Sequence, residues 1–422
     1  MEQVYDSYKD SGIPWIGAIP EGWEVCRLKN FISLKGRVGW KGLRSDEFQL
    51  NSYAYLVTGQ DFKGATVNWN NCYQIDKKRY EEDPFIQLSN GDILVTKDGT
   101  IGKVAMVQGL NKPACLNSGI FVLKQKTCKF NQKYLYWLLC SSLLADFNFY
   151  RQSGGTTIVH LYQNVFELMP MVLPDLSEQQ AIASYLDLKC ADIDELVSLQ
   201  DEMIKELEAY KQSIITEAVT KGLDPNVPMK DSGIPWIGEI PESWGEQRLK
   251  YLCTIQTGNK DTQDADPEGF YPFYVRSPIV ERSNDYSFDG EGILMAGDGA
   301  GAGRVFHHAY GKYAVHQRVY RLANIRNVES NYLFYFMTNL FCKEMDRGSA
   351  QSTVPSVRLP MLENFKICIP SIFEQQSIAS YLDEKCADID AMISLRKKKI
   401  EELKEYKKSV IFEAVTGKIK VV

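Results

Sequence analysis

The sequence predicts an α+β chain: two mixed α/β domains separated by two long helices that form an antiparallel coiled coil, with an internal pseudo-two-fold repeat. Three observations predict it. Residues 9–24 read KDSGIPWIGAIPEGWE and residues 230–245 read KDSGIPWIGEIPESWG, while 178–194 (EQQAIASYLDLKCADID) returns almost unchanged at 374–390 (EQQSIASYLDEKCADID). The stretches between these repeats have drifted far apart, yet both carry short strand-like runs. Each repeated tail then runs on with helical spacing and without a breaker. The expected division is 1–177, a domain with a repeated head at 9–29; 178–222, a helix; 223–373, a second domain with its head at 230–250; and 374–422, a second helix.

The heads are offset by 221 and the tails by 196, so the first intervening block is 25 residues longer than the second. Near-identical frames around divergent inserts suggest one scaffold presenting two different binding surfaces. Within the first block, Ala54–Thr58, Ile93–Thr96, Lys103–Val107 and Ile120–Lys124 are β-branched or aromatic runs bounded by Gly and Asn, and read as strands. Tyr134–Phe147 and its counterpart Tyr332–Met345 are apolar at helical spacing and read as helices. Asp92–Val95 with Asp98-Gly99 matches Gly292–Met295 with Asp298-Gly299, so the two blocks share a fold.

In the first tail, Ser177 is placed to cap a helix that meets no Pro or Gly until Gly222. Ile193, Leu196, Gln200, Met203, Leu207, Tyr210 and Ile214 step alternately by three and four, which is a heptad seam. The second copy supplies Ile389, Met392, Arg396, Lys399, Leu403, Tyr406 and Val410. Residues 192–211 are dominated by acids and 396–408 by Lys and Arg, so the two helices are expected to pair with each other.

Composition narrows the function. The 422 residues are 44% hydrophobic and 24% charged, ordinary for a folded protein, and the formal net charge is −6. That excludes a uniformly basic coat for nucleic acid but leaves room for a basic face. No apolar run reaches the length of a membrane span. The opening Met1–Asp6 is unlike a targeting segment, and ten Cys without a CxxC pair suit a reducing cytoplasm. With four His (His160, His307, His308, His316), no metal site is expected.

A search for catalytic machinery finds none: no phosphate loop, no HExxH, no GxSxG, no kinase signature, and no Asn-Pro-Pro-aromatic motif of amino-methyltransferases. Gly297–Ala302 matches GxGxx[GA], but the residues after it are not helical, and a turn between strands is the better reading. Binding chemistry is easier to find. From Cys26 to Ser45 there are six cations and no acid, including Lys35, Arg37, Lys41 and Arg44 with Trp40 among glycines, a composition that lets main chain and cations approach phosphates. Lys97, Thr100 and Lys103 sit on one turn, and Thr156, Thr157 and His160 on a Gly-rich stretch. In the second block the comparable residues are Thr257, Asn259, Lys260, Arg276, Arg304, His316, Gln317 and Arg318. Arg, Asn and Gln can read base edges bidentately.

The head KDSGIPWIGxIPxxW, the phrase GDILVTKDGTIGKVA (91–105), the element Gly36–Gly42 and the EQQxIASYLDxKxADID tail together resemble the specificity subunit of Type I restriction–modification systems, over essentially the whole chain. The resemblance implies two target recognition domains, each reading half of a bipartite, asymmetric sequence in double-stranded DNA, and paired helices that act as a ruler. The heptad stretch Ile193–Ile214 spans ~32 Å by helical rise, about one DNA turn of ~34 Å. It also implies docking to two modification subunits, which bind S-adenosylmethionine and methylate adenine N6, and to restriction subunits that use ATP and Mg. The chain itself would be no enzyme, bind no cofactor and touch no membrane. On the residues alone, a stand-alone DNA methyltransferase or nuclease and a protein-only coiled-coil adaptor stay open.

Overall fold

The computed structural model describes residues 4–37, 42–127, 129–151, 160–348 and 355–421. Contacts divide the chain into two compact units, one of Met1–Leu199 with Lys398–Val422 and the other of Gln200–Lys397. The two long helices are Leu176–Lys221 and Ile372–Val415. Each begins in one unit and ends in the other.

In the first unit a six-stranded sheet runs in the order Ile32–Gly36, Ile120–Gln125, Ile93–Thr96, Val104–Met106, Thr66–Val67, Phe62–Lys63. Its pairings are antiparallel except that of Met106 with Thr66. The central strands are continuous apolar runs because both faces are buried. Ile93, Val95, Phe121 and Leu123 enter one core with the helices, while Leu94, Ile120 and Val122 enter a second core. That second core also takes Leu56 and Cys115 from a three-stranded sheet of Ala114–Leu116, Ala54–Val57 and Tyr73–Ile75.

The second unit repeats the plan. Thr254–Thr257, Val319–Ala323, Gly292–Ala296 and Phe306–Ala309 form one sheet, and Glu281–Ser283, Tyr271–Tyr274, Lys312–Val315 and Phe288–Asp289 another. Ile293, Met295 and Leu322 face the helical core, and Leu294 and Val319 the smaller one.

The repeated residues make the same contacts in both units. Trp23 Nε1 donates to Glu178 at 3.0 Å, and Trp244 Nε1 to Glu374 at 3.1 Å. Gln179 accepts from the Asn131 amide and donates to the Pro174 carbonyl, as Gln375 does with Glu329 and Pro370. The buried Tyr134 hydroxyl lies within reach of two carbonyls, Val172 at 2.9 Å and Val415 at 3.1 Å; Tyr332 does the same with Cys368 and Val219. Each tyrosine thus ties its block to the closing turn of whichever long helix ends in its unit.

Within each unit the two long helices pack together. In the second unit, Gln200 accepts from Arg396 and Lys211 pairs with Asp390, so residue numbers rise on one helix as they fall on the other, and the pair is antiparallel. Asp194 and Lys407 form the equivalent ion pair in the first unit. All of these are partly exposed, so they set register more than stability.

The seam differs from the expected one at alternate positions. Ile193, Gln200, Leu207, Ile214, Ile389, Leu403 and Val410 are buried or half-buried, but Leu196, Met203, Tyr210, Met392 and Tyr406 are exposed. Their places are taken by the next residue along: Val197, Ile204, Lys211, Ile393 and Lys407. At 196/197 and 203/204 both residues are apolar and the β-branched one went inside, whereas at 210/211 the stem of Lys211 takes the place of Tyr210. Two other local readings change. Asp175, rather than Ser177, accepts the Glu178 amide at the start of the first long helix. The helix expected over 134–147 is two, Gln132–Cys140 and Leu143–Arg151, because Ser141 leaves the helical region and its hydroxyl bonds back to Leu138.

Among the described residues no helix is long and apolar enough to cross a membrane. The nine cysteines among them are free thiols. Burial pushes Cys26, Cys72 and Cys253 up to about 12, so these thiols are unreactive near neutrality.

Candidate nucleic-acid interface

In the first unit the strands Ile93–Thr96 and Val104–Met106 are joined by a turn that needs glycine twice, at Gly99 (φ +67°) and Gly102 (φ +83°). Thr96 closes it, its hydroxyl donating to the Thr100 carbonyl at 2.5 Å and accepting from the Lys103 amide at 3.0 Å. Thr100 and Lys103 are exposed on this turn, and the Asp98 carboxylate contacts Nδ1 of His160. The turn meets two other segments. The Lys97 amide donates to Gly119, and the Asn117 amide to Val57 at the strand exit leading to Thr58 and Gln60. A cleft lies between the three, lined by Thr58, Gln60, Asp98, Thr100, Lys103 and Asn117 with the aromatic rings of Phe48 and Tyr73.

The second unit builds a cleft from the same three segments, by equivalent main-chain bonds. The Gly297 amide donates to Arg318 at 2.8 Å, and the His316 amide to Tyr274 at 3.0 Å. The side chains are different. Arg276 Nη1 donates to Asp298 at 2.9 Å, and Arg318 Nε approaches the other oxygen of Asp298 at 3.8 Å. Gln317 donates to Asp261 at 2.8 Å. The Gly297–Ala302 stretch is the turn between the antiparallel strands Gly292–Ala296 and Phe306–Ala309.

The structure therefore gathers Thr100, Lys103 and His160 at one cleft, and Arg276, His316 and Arg318 at the other, while the Lys97 ammonium lies over the Phe121 ring and the Gln317 side chain turns to Asp261. Lys260 stays close, since its carbonyl accepts from the Gln317 amide, while its ammonium faces Asp285 at 3.5 Å. Asn259 is bonded by Ser287, Thr257 ends the outer strand opposite Tyr320, and Arg304 is exposed beyond the turn. Arg37 is only 2% exposed, and its guanidinium is spent on the Leu116 carbonyl (2.9 Å) and the Cys115 sulfur (3.4 Å), so it braces a strand instead of facing phosphate. Lys35 lies over the Phe85 ring, and Arg44 is exposed, with its amide bonded by Glu47. Trp40, Lys41, Thr156 and Thr157 lie outside the described residues. Sequence reasoning missed Asp98 and Asp298, the carboxylates that organise the two clefts, although Asp-Gly stands at the same place in both blocks.

His316 is buried and does not reach into solvent. Its Nδ1 accepts the Arg318 amide at 3.0 Å, which leaves the proton on Nε2, beside Asp261 and Thr262 at 3.5 Å. Burial, then the positive charge of Arg276, hold it below its ordinary value near 6.5, against the pull of Asp261 and Asp298. Because the unfolded chain binds this proton more readily, the neutral ring's contribution is complete above pH 6.5 and is lost as pH falls below it. A His316→Gln variant is thus expected to show a smaller drop in unfolding midpoint between pH 7.5 and 5.5 than the parent, measured by thermal melts. An equal drop would remove His316 from the account.

Among the described residues no group of His, Cys, Asp and Glu is arranged to hold a metal ion.

Two diverged polar clefts on one duplicated scaffold define a protein that recognises by its surface, and comparison with known proteins places it. The family model described as Type I restriction modification DNA specificity domain matches residues 20–209 and 241–405, and the chain belongs to that family. The MjaVIII specificity subunit of Methanocaldococcus jannaschii, a Type I restriction enzyme subunit, is 27% identical over 96% of this chain and 94% of its own length. The EcoDI specificity subunit of Escherichia coli is 27% identical over 43% of this chain and 40% of its own. A chain from a structure of complex assembly in the type I R-M system superimposes with a TM-score of 0.72 at 18% identity, covering 95% of this chain and 99% of that one. The HsdS subunit of Thermoanaerobacter tengcongensis gives 0.50 at 16% identity, over 95% and 98% of the two chains. At these identities the structural matches speak for the fold.

Proposed function

We propose that this chain is the DNA-reading subunit of a Type I restriction–modification complex. It recognises a bipartite, asymmetric duplex sequence, one half by each unit, and directs adenine N6 methylation and DNA cleavage that partner subunits perform. The observation that carries this reading is the pair of clefts. Equivalent main-chain bonds build both, while the side chains exposed in them differ in kind. A scaffold that keeps its frame and varies its polar surface suits two unlike half-sites, because cations position the phosphate backbone and forked side chains discriminate base edges. Family membership favours this over a stand-alone enzyme or a protein-only adaptor.

In this reading S-adenosylmethionine is held by two modification subunits, and ATP with Mg by the restriction subunits. The exposed apolar residues on the long helices, among them Leu196, Met203, Tyr210 and Met392, are the surface offered to the modification subunits. A helix pair that needed nothing more would leave this row polar. The candidate contacts of the clefts, with Lys35, Arg44, Asn259, Lys260 and Arg304 around them, remain proposals of the same reading.

Mapping N6-methyladenine across the host genome with and without the gene tests it. A two-part motif that disappears with the gene is the expected result. Unchanged methylation in a strain where the modification subunits are expressed would refute it.

A further inference from the structure

We propose that Arg318 is a specificity-determining residue that reads a guanine in the half-site recognised by the second unit, with Asp298 as its positioning residue. The inference rests on the DNA-reading function proposed above and assigns a base class to one position.

The main chain around Arg318 is fixed on every side. Its amide donates to His316 Nδ1 at 3.0 Å, its carbonyl accepts from Gly297 at 2.8 Å, and the neighbouring Gln317 and Val319 amides are bonded to Lys260 and His316. Its side chain is 65% exposed, and its ion pair is the 3.8 Å approach of Nε to Asp298. No hydrogen bond occupies its two terminal nitrogens among the described residues. A fork held at its base and open at its tip needs little further ordering on binding, which lowers the entropic cost. Guanine, with O6 and N7 side by side in the major groove, is the base edge that accepts two such donors.

The equivalent turn of the first unit sharpens the assignment. The main-chain bond that Arg318 makes to Gly297 is made there by Gly119 to Lys97, so a side chain with a fork stands where the other unit has none. That is the signature expected of a residue that distinguishes two half-sites, and not of one that holds the frame. A phosphate contact is the competing role for an exposed arginine. The carboxylate of Asp298 beside Arg318, already bonded to Arg276, repels phosphate oxygens, whereas a G·C pair offers it the N4 amino donor of the cytosine next to the guanine acceptors read by Arg318.

The two roles give different results. In the assembled complex, genome-wide methylation is read for the parent, Arg318→Ala and Arg318→Lys. A base contact predicts that one guanine in one half of the motif becomes degenerate in Arg318→Ala, discrimination there falling roughly 5- to 140-fold while the other half is unchanged. Arg318→Lys keeps the charge but has no fork, and is expected to be degenerate at the same position. A uniform fall in methylation over an unchanged motif, with partial recovery in Arg318→Lys, would assign Arg318 to phosphate and overturn the proposal. So would an unchanged motif at unchanged level, relaxation at a base other than guanine, or loss of all methylation in both variants. If the parent itself directs no motif, the functional reading fails and not this residue.

Discussion

A chain cut after Lys397 is expected to lose the structure of its first unit while keeping that of its second. The removed segment carries Val410, Ile411, Val415 and Ile419, all buried in the core that also holds Trp23, Tyr134 and Ile182. Each such side chain is worth ~1.5–3 kcal/mol when fully buried. Four together approach the whole stability of a domain, about 5–15 kcal/mol. The cut also leaves the Tyr134 hydroxyl without the Val415 carbonyl. The second unit, Gln200–Lys397, loses nothing of its own, because its equivalent helix end is Ile215–Val219. Hydrogen exchange resolved by peptide is the measurement. Protection should vanish over Ile93–Thr96 and Ile120–Gln125 and persist over Gly292–Ala296. Protection retained in the first unit would show that the far helix end is dispensable.

Gly258→Ala is expected to be the most damaging single methyl group in the second unit. A Cβ there would stand 2.0 Å from the Val315 carbonyl oxygen and 2.6 Å from that of His316, both main-chain atoms that cannot rotate away. Overpacking of this kind costs typically ~1–3 kcal/mol or more. For a unit of this size the unfolding midpoint should fall by roughly 2–4 °C for each kcal/mol. The strand exit that must move leads directly into Gln317 and Arg318, so the variant should also lose recognition by the second unit. Gly245→Ala is the control, since a Cβ there meets nothing within 4 Å. Calorimetry of the two variants, with equal midpoints, would disprove the close approach.

The architecture was legible because duplication supplied its own comparison. A contact needed twice appears twice in the sequence, as Trp23 and Trp244 or Gln179 and Gln375 do. Strands buried on both faces announced themselves as apolar runs, at residues 93–95 and 120–123. The seam was half legible. Leu196 and Val197, or Met203 and Ile204, are both apolar, and only the second copy, with Lys399 before the buried Ile400, separates the inner residue from the outer.

What failed to show was direction. A basic run says nothing about which cation turns inward, and Arg37 is the one that does, its guanidinium meeting the Leu116 carbonyl and the Cys115 sulfur. The clefts were half legible for a related reason. Lys103 and His160, or Arg276 and Arg318, are far apart along the chain, and only tertiary pairing of three segments brings each set to one place. The division of the long helices between units was invisible, since periodicity along a helix does not say which body each half joins.

The twin set of anchoring contacts has a consequence for inheritance. A set of polar contacts that fasten an insert to its surroundings is contributed by the repeated residues: the carboxylates of Asp187 and Asp383, the amides of Gln179 and Gln375, and the helix-end carbonyls of Val415 and Val219. The insert has to bring one tyrosine, at 134 or 332, an aromatic donor three residues later, Trp137 or Tyr335, and a main-chain N–H to meet the glutamine. A foreign insert that meets those three requirements and brings an equivalent apolar face to the shared core would fit either socket, so that a new target is acquired in one exchange without re-evolving a fold.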